Sequence, residues 1–269
     1  MYGPAMSTSA ALPELFSLSG RTALVTGGSS GIGRAISTAL AAAGAHVLIA
    51  ARREGPIREV VDEIAAAGGS AAALPADLGT REGARDLAER ALAHVAPDGP
   101  RGVDVLVCSA GINLRPPMPE LDEDTWDATM AVNLDAPFLL GQALAPAMAE
   151  RGCGRLIHIS SQQAHRPFAA SGAYGVSKAA LEALARSQAE AWSARGVTAN
   201  VLIPGFVPTP LNTRLSSDPA TVQALAARTL VGRNGRPEDF AGPVVWLASA
   251  ASAYVTGQSI AVDGGFSVH

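Results

Sequence analysis

The amino-acid sequence predicts an α/β fold: one open, doubly wound parallel sheet of about seven strands, with helices packed on both faces. Three observations carry this expectation. Short β-rich runs alternate with longer helical patterns along the chain. Several of these runs are apolar on both faces, as the strands of a buried parallel sheet are. A glycine-rich turn, Thr26-Gly27-Gly28-Ser29-Ser30-Gly31-Ile32-Gly33, joins the first run to the first helical pattern.

Taken in order, Thr22–Thr26, His46–Ala50, Ala71–Leu74, Val103–Val107, Arg155–Ser160, Thr198–Ile203 and Ser259–Val262 read as strands. Helical stretches near 32–43, 57–67, 80–95, 122–150, 173–195 and 237–249 lie between them. Right-handed crossovers then place helices on both faces. Pro56 suits a first helical turn, and Gly68-Gly69 ends that helix. Asp122 is placed to cap the long helix that carries Trp126. Pro137 and Pro146 should bend or split it. The segment Pro204–Pro237 breaks the rhythm: it is proline-rich and too long for an ordinary connection. Over about 205–235 it is expected to cover a site at a strand end. Residues 1–17 read as an N-terminal tail, and residues 18–269 as one domain.

A chain of 269 residues, 48% of them hydrophobic and only 4% aromatic, can bury a large core of closely packed helices and sheet. The net charge of −4, with no basic cluster beyond the pair Arg52-Arg53, argues against a nucleic-acid partner. Cys108 and Cys153 have no metal-ligand spacing and read as reduced, buried thiols. The N-terminus lacks the basic leader and apolar core of a signal peptide. Residues 35–51 are nearly free of charge but too short, and too interrupted by Gly44 and His46, to span a membrane. A soluble, cytoplasmic protein without a membrane partner is expected.

The glycine turn follows a strand and opens a helix. Gly27, Gly31 and Gly33 allow a tight turn and a close approach of backbone to a pyrophosphate, while the helix N-terminus offers free N–H groups. Ser29, Ser30 and Ile32 belong to the same turn. The spacing is G-x3-G-x-G, and a glycine triad alone is weak evidence. At the end of the second strand, where an acidic residue commonly meets ribose hydroxyls, stand Ala51, Arg52 and Arg53. Arginine matches a 2′-phosphate that a carboxylate would repel. NADP(H) is therefore favoured, with NAD(H) kept open. Asp77-Leu78 can meet an adenine amine, although Asp77 reads equally well as a helix cap near Thr80. Ser109, Ala110 and Gly111 leave room for the cofactor after the fourth strand.

Tyr174 and Lys178 are i and i+4 in a helical stretch and so share one face. An ammonium beside a phenol is expected to pull its pKa down, so that Tyr174 can exchange a proton with an alcohol or alkoxide. Ser161, at the end of the fifth strand, can stabilise the developing oxyanion.

On these residues the chain resembles the short-chain dehydrogenase/reductase family over essentially its whole length after Ser17. The family's T-G-x3-G-x-G stands at Thr26 to Gly33, its Y-x3-K at Tyr174 to Lys178 and its serine at Ser161. Its helix asparagine matches Asn133, and the turn beside the nicotinamide matches Pro204-Gly205, followed by Val207 and Thr209. The resemblance implies a Rossmann-like fold and a hydride transfer between a nicotinamide and a secondary alcohol or ketone. It further implies that Asn133 holds a water in a proton relay through Lys178, that Lys178 meets the nicotinamide ribose, and that Thr209 contacts the carboxamide. The family's N-N-A-G is Cys108-Ser109-Ala110-Gly111 here, so both asparagines are missing. A non-catalytic, cofactor-sensing regulator on the same fold is the rival class. It would be expected to lose one of the proton-transfer residues, all of which are present.

The substrate is expected to be small, polar and hydroxylated. Asn113 and Arg115 follow Gly111; Gln162, Gln163, His165 and Arg166 follow Ser161; and Asn212 lies beyond Gly205. Arg115 could clamp a carboxylate and Gln163 could read a hydroxyl, beside Ser161 and Tyr174. The stretch Ala110–Arg115, with Thr209–Asn212, also resembles the gluconate 5-dehydrogenase branch of the family. Phe168, Phe206, Val207 and Leu211 could instead line an apolar pocket, which keeps a 3-oxoacyl-thioester reductase as the alternative. Small residues Ala173, Ala180, Ser187 and Ala191 on the Tyr174 helix suit close helix packing. The resemblance implies that this helix and the Trp126 helix pack between subunits of a homotetramer, with the C-terminal segment through His269 adding a second contact.

Overall fold

The computed structural model describes residues 12–96 and 102–268. Seven parallel strands form one sheet: β1 (Thr22–Thr26), β2 (His46–Ala50), β3 (Ser70–Ala73), β4 (Val105–Cys108), β5 (Gly154–Ile159), β6 (Val197–Pro204) and β7 (Ser259–Val262). Their order is β3-β2-β1-β4-β5-β6-β7. The chain winds outward from β1 to β3, then crosses over and winds the other way from β4. The reversal leaves a crevice beyond the C-terminal ends of β1 and β4, where doubly wound folds bind ligands. Thr26 pairs with both Ala50 and Cys108. The chain therefore leaves the sheet at one level at Gly27, Ala51 and Ser109. The expected strands β3, β4 and β5 are each shifted by one or two residues and β6 is longer by one residue at each end, because pairing register rather than local propensity sets their ends.

The helices are α1 (Leu12–Phe16), α2 (Gly31–Ala42), α3 (Glu54–Ala66), α4 (Arg81–Ala93), α5 (Glu123–Met130), α6 (Ala136–Glu150), α7 (Gly172–Trp192), α8 (Thr213–Ser216), α9 (Pro219–Ala227) and α10 (Ala241–Ala248). Alternation along the strands divides the core between two faces. Val25, Val47 and Val107 pack with Ile36 and Leu40 of α2, Ile57 and Val60 of α3, and Val244 and Leu247 of α10. Leu24, Leu48 and Leu106 pack with Leu87 of α4, Leu140 and Leu144 of α6, and Ala189 of α7. Each of these buried valines, leucines and isoleucines contributes about 1.5–3 kcal/mol.

Several expectations change in detail. Residues 12–16 of the expected tail form α1, and residues 1–11 lie outside the described residues. The expected 122–150 helix is split: a π-helical turn at Ala131–Asp135 separates α5 from α6. Pro137 follows it, and without an N–H this proline cannot donate to the carbonyl four residues back, that of Asn133. Pro146 sits inside α6 without ending it. Asp122 caps α5 as expected, its Oδ1 accepting the Thr125 N–H at 2.7 Å. The 205–235 segment contains α8, α9 and a tight turn at Pro210–Asn212 rather than bare loop. Cys108 is buried, but Cys153 is only partly so.

Candidate active site

The glycine turn delivers the N-terminus of α2 to the crevice. Ser30, which precedes α2, makes no side-chain cap, so its hydroxyl does not occupy the first N–H groups of the helix. Gly27 has φ +67°, and a Cβ on Gly33 would lie 2.2 Å from the Gly27 carbonyl oxygen. The turn thus closes on itself more tightly than any side chain would allow. Across the crevice Thr209 approaches Gly31, where an added Cβ would meet Thr209 Cγ2 at 3.0 Å. A bare-backbone cradle at a helix N-terminus fits a dinucleotide pyrophosphate, which needs N–H donors and no carbon in the way.

Behind the cradle, Thr26 Oγ1 accepts the N–H groups of Ser109 and Ala110, both at 3.2 Å. This side chain holds the end of β4 where the family's asparagines are missing. Arg52 and Arg53 are exposed at the end of β2, and Arg53 is the residue preceding α3. Asp77 does not cap α4. Its Oδ1 accepts the Gly79 N–H at 3.0 Å, and the cap is Thr80, which accepts from Gly83 N–H. Leu78 beside it is buried in the core.

The predicted reacting groups converge. Tyr174, Lys178 and Ser161 are all buried and line one cavity, with Gly27, Gly31, Ser109, Pro204, Gly205, Val207 and Thr209. Ser161 hydrogen-bonds the Tyr174 hydroxyl, and its Oγ accepts the Gln163 N–H at 3.2 Å. Lys178 Nζ lies 5.7 Å from the Tyr174 ring centroid and donates to the Ile159 carbonyl at 2.8 Å. Asn133 sits in the π-helical turn, fully buried. Its Oδ1 accepts Ile112 N–H at 2.9 Å, while Nδ2 donates to Ile112 O and Ser177 Oγ, both at 3.0 Å. Ser177 Oγ in turn donates to Tyr174 O at 2.8 Å. One asparagine therefore ties the loop after β4 to the Tyr174 turn of α7.

The electrostatics correct one expectation. Burial pushes the Tyr174 phenol upward, with the Ser161 hydrogen bond and the Arg115 charge pulling against it. Arg115 therefore adds a second cation near the phenol, besides Lys178 against its ring. Burial lowers Lys178 itself to about 8.

The substrate side of the cavity carries Asn113, Arg115, Gln162, Gln163, Phe206, Leu211, Asn212 and Leu215. The Arg115 guanidinium donates to the carbonyls of Ala169 and Ala170 at 2.8 and 3.2 Å, through Nη2 and Nε. Gln163 Oε1 accepts from Ser171 Oγ at 2.7 Å. Asn212 is consumed by the turn: its Oδ1 accepts Thr209 N–H and its Nδ2 donates to Val207 O. Asn113 Oδ1 and Gln162 Oε1 are buried without a partner among the described residues and can accept from a ligand. Phe168 does not line this cavity; it packs on Phe266 with ring centroids 6.2 Å apart. Arg166 and His165 also turn away, to Ser267 O and Glu182. Among the described residues no group of three or more potential ligands could hold a metal.

A dinucleotide cradle beside a Ser-Tyr-Lys constellation defines a nicotinamide-dependent oxidoreductase acting on an alcohol or ketone. The family model described as enoyl-(acyl carrier protein) reductase matches residues 27–267. Gluconate 5-dehydrogenase of Gluconobacter oxydans is 36% identical, over 95% of this chain and 98% of its own length. A crystal structure of a gluconate 5-dehydrogenase from Burkholderia cenocepacia, in complex with NADP and tartrate, superposes with a TM-score of 0.89 at 35% identity, covering 96% of this chain and 100% of that one. A 3-oxoacyl (acyl-carrier-protein) reductase from Agrobacterium tumefaciens with NADP bound also reaches 0.89, at 38% identity over 97% and 100%. The chain belongs to the short-chain dehydrogenase/reductase family.

Proposed function

We propose that the chain is an NADP(H)-dependent dehydrogenase/reductase of hydroxylated sugar acids or polyols, similar to gluconate 5-dehydrogenase. The observation that carries the substrate class is the Arg115 guanidinium, held by two loop carbonyls in the same cavity as Ser161 and Tyr174. Its remaining N–H groups can take a carboxylate, and Asn113 Oδ1 can accept a substrate hydroxyl. The Gluconobacter relative and the Burkholderia neighbour, solved with the hydroxylated dicarboxylate tartrate, support the same class. Arg52 supports NADP(H), as do the two NADP-bound neighbours.

In the reductive direction Ser161 donates a hydrogen bond to the ketone oxygen, and Tyr174 O–H gives that oxygen its proton. When bound, the nicotinamide supplies the hydride to the carbonyl carbon. Lys178 holds positive charge beside the phenol, and the Asn133 carbonyl, which Pro137 cannot satisfy, offers an acceptor for a relay water. The reverse movements oxidise an alcohol. Such a proton exchange is worth roughly 10²–10⁴-fold in rate.

The apolar wall of Phe206, Val207, Leu211 and Leu215 and the Agrobacterium neighbour favour a 3-oxoacyl-thioester reductase as the second reading. Arg115→Ala separates the two: a several-fold rise in KM for a carboxylated substrate, without a change for a neutral thioester, supports the sugar-acid reading. A homotetramer acting in the cytoplasm belongs to the same proposal. Among the described residues no helix is long and apolar enough to cross a membrane.

A further inference from the structure

We infer that Glu182 is a positioning residue that sets Ser161 through Ser160 and His165. The inference rests on the role given to Ser161 above. Glu182 lies one helical turn beyond Lys178 on α7, and its carboxylate is buried, with 3% of the residue exposed. A carboxylate at such a place is costly unless its lone pairs are satisfied. Here both oxygens are used. Oε1 accepts from Ser160 Oγ at 2.8 Å and Oε2 from Ser259 Oγ at 3.0 Å. His165 Nε2 lies 3.1 Å from each oxygen. Ser160 Oγ also reaches the Lys178 carbonyl at 3.1 Å.

The two tethers bracket the segment that matters. Ser160 immediately precedes Ser161, and His165 closes the tight turn Gln162–Ala164 that Ser161 caps. Adjacent residues of an extended chain point to opposite sides. Anchoring the Ser160 hydroxyl to α7 on one side therefore fixes the Ser161 hydroxyl on the cavity side. The same helix carries Tyr174 and Lys178. One carboxylate thus locks the oxyanion-binding hydroxyl in register with the proton-transfer residues, while Ser259 adds β7 to the lock. Glu182 and His165 touch none of the reacting groups directly and do not line the catalytic cavity.

The test is a double-mutant cycle on the full-length protein. Glu182→Gln keeps the size of the side chain but removes the charge and one acceptor oxygen. It is expected to lower kcat about tenfold, the scale of coupling within one hydrogen-bonded network. The NADPH dissociation constant, read by nicotinamide fluorescence, should stay unchanged. In a Ser161→Ala background the same substitution should cost no further turnover. An equal proportional loss in both backgrounds, an unchanged kcat in the wild-type background, or a weakened NADPH affinity would each overturn the inference. Should Glu182→Gln fail to fold, His165→Leu carries the cycle, with a smaller expected loss that His165→Gln restores. If Ser161→Ala itself retains full turnover, the Ser161 assignment falls and takes this inference with it. Additivity beside an impaired Ser161→Ala rejects only the role of Glu182.

Discussion

At the scale of single residues, the chemistry rests on a phenol that burial makes a weaker acid and that two neighbours make a stronger one. Tyr174→Phe keeps the ring and its packing, so it should fold with an unchanged melting temperature and lose turnover by a factor of roughly 10²–10⁴. Removing the Arg115 cation takes away a charge that favours the phenolate. In Arg115→Ala the rising alkaline limb of alcohol oxidation should therefore move to higher pH, and an unmoved limb would show that the two charges do not communicate. Tyr174, Lys178 and Ser161 were legible in the sequence because their order and helical spacing constrain one another. The added influence of Arg115 on Tyr174 was not, since Arg115 lies 59 residues before it and meets it only through the fold. Asn212 shows the opposite limit: its amide type suggested substrate contact, yet the turn at Thr209 uses both its ends.

At the scale of elements, α2 and its turn were readable down to the individual glycines, because backbone closure leaves only one residue type. Gly33→Ala places a carbon 2.2 Å from the Gly27 carbonyl oxygen, so the turn must open. A loss of NADPH affinity of at least tenfold is expected by fluorescence titration, together with destabilisation of about 1–3 kcal/mol. The π-helical turn was hidden, although Pro137 marked its neighbourhood, since a proline signals a break without saying how it is absorbed. On β5, burial lowers His158 to about 4 from 6.5, and its Nε2 pairs with Gln188 Oε1 of α7 at 2.7 Å. The unfolded chain binds this proton first as pH falls, so stability should decline between 6.5 and 4. One such histidine contributes up to about 1.4 kcal/mol per pH unit. His158→Gln should flatten that decline in urea titrations at a series of pH values, and an identical slope would remove His158 as its source.

At the scale of the whole molecule, the doubly wound sheet followed from the alternation of buried strands and helices, whereas the face of α7 that stays open did not. Ala173, read as part of a packing stripe, is buried within the chain. The exposed stripe of α7 runs instead through Val176, Ala179, Ala183, Ser187 and Ala191, with Phe138 of α6 also exposed. Hydrophobic periodicity alone could not separate a face turned to the sheet from one left open. The expected second contact ends at His269, which lies outside the described residues. Sedimentation should show a tetramer at micromolar concentration, and a monomer there would reject the proposed assembly. Arg52→Ala should erode a preference for NADPH over NADH in kcat/KM, while a wild-type preference for NADH that survives the substitution would reverse the cofactor assignment. The most direct measurement is steady-state reduction of 5-ketogluconate and of an acetoacetyl thioester side by side, each with NADPH and NADH, in the wild type and in Tyr174→Phe. Turnover of the sugar acid with NADPH, well above that of the thioester and abolished in Tyr174→Phe, is expected. Robust thioester reduction without sugar-acid turnover would contradict the proposed substrate, and near-normal activity in folded Tyr174→Phe would contradict the mechanism.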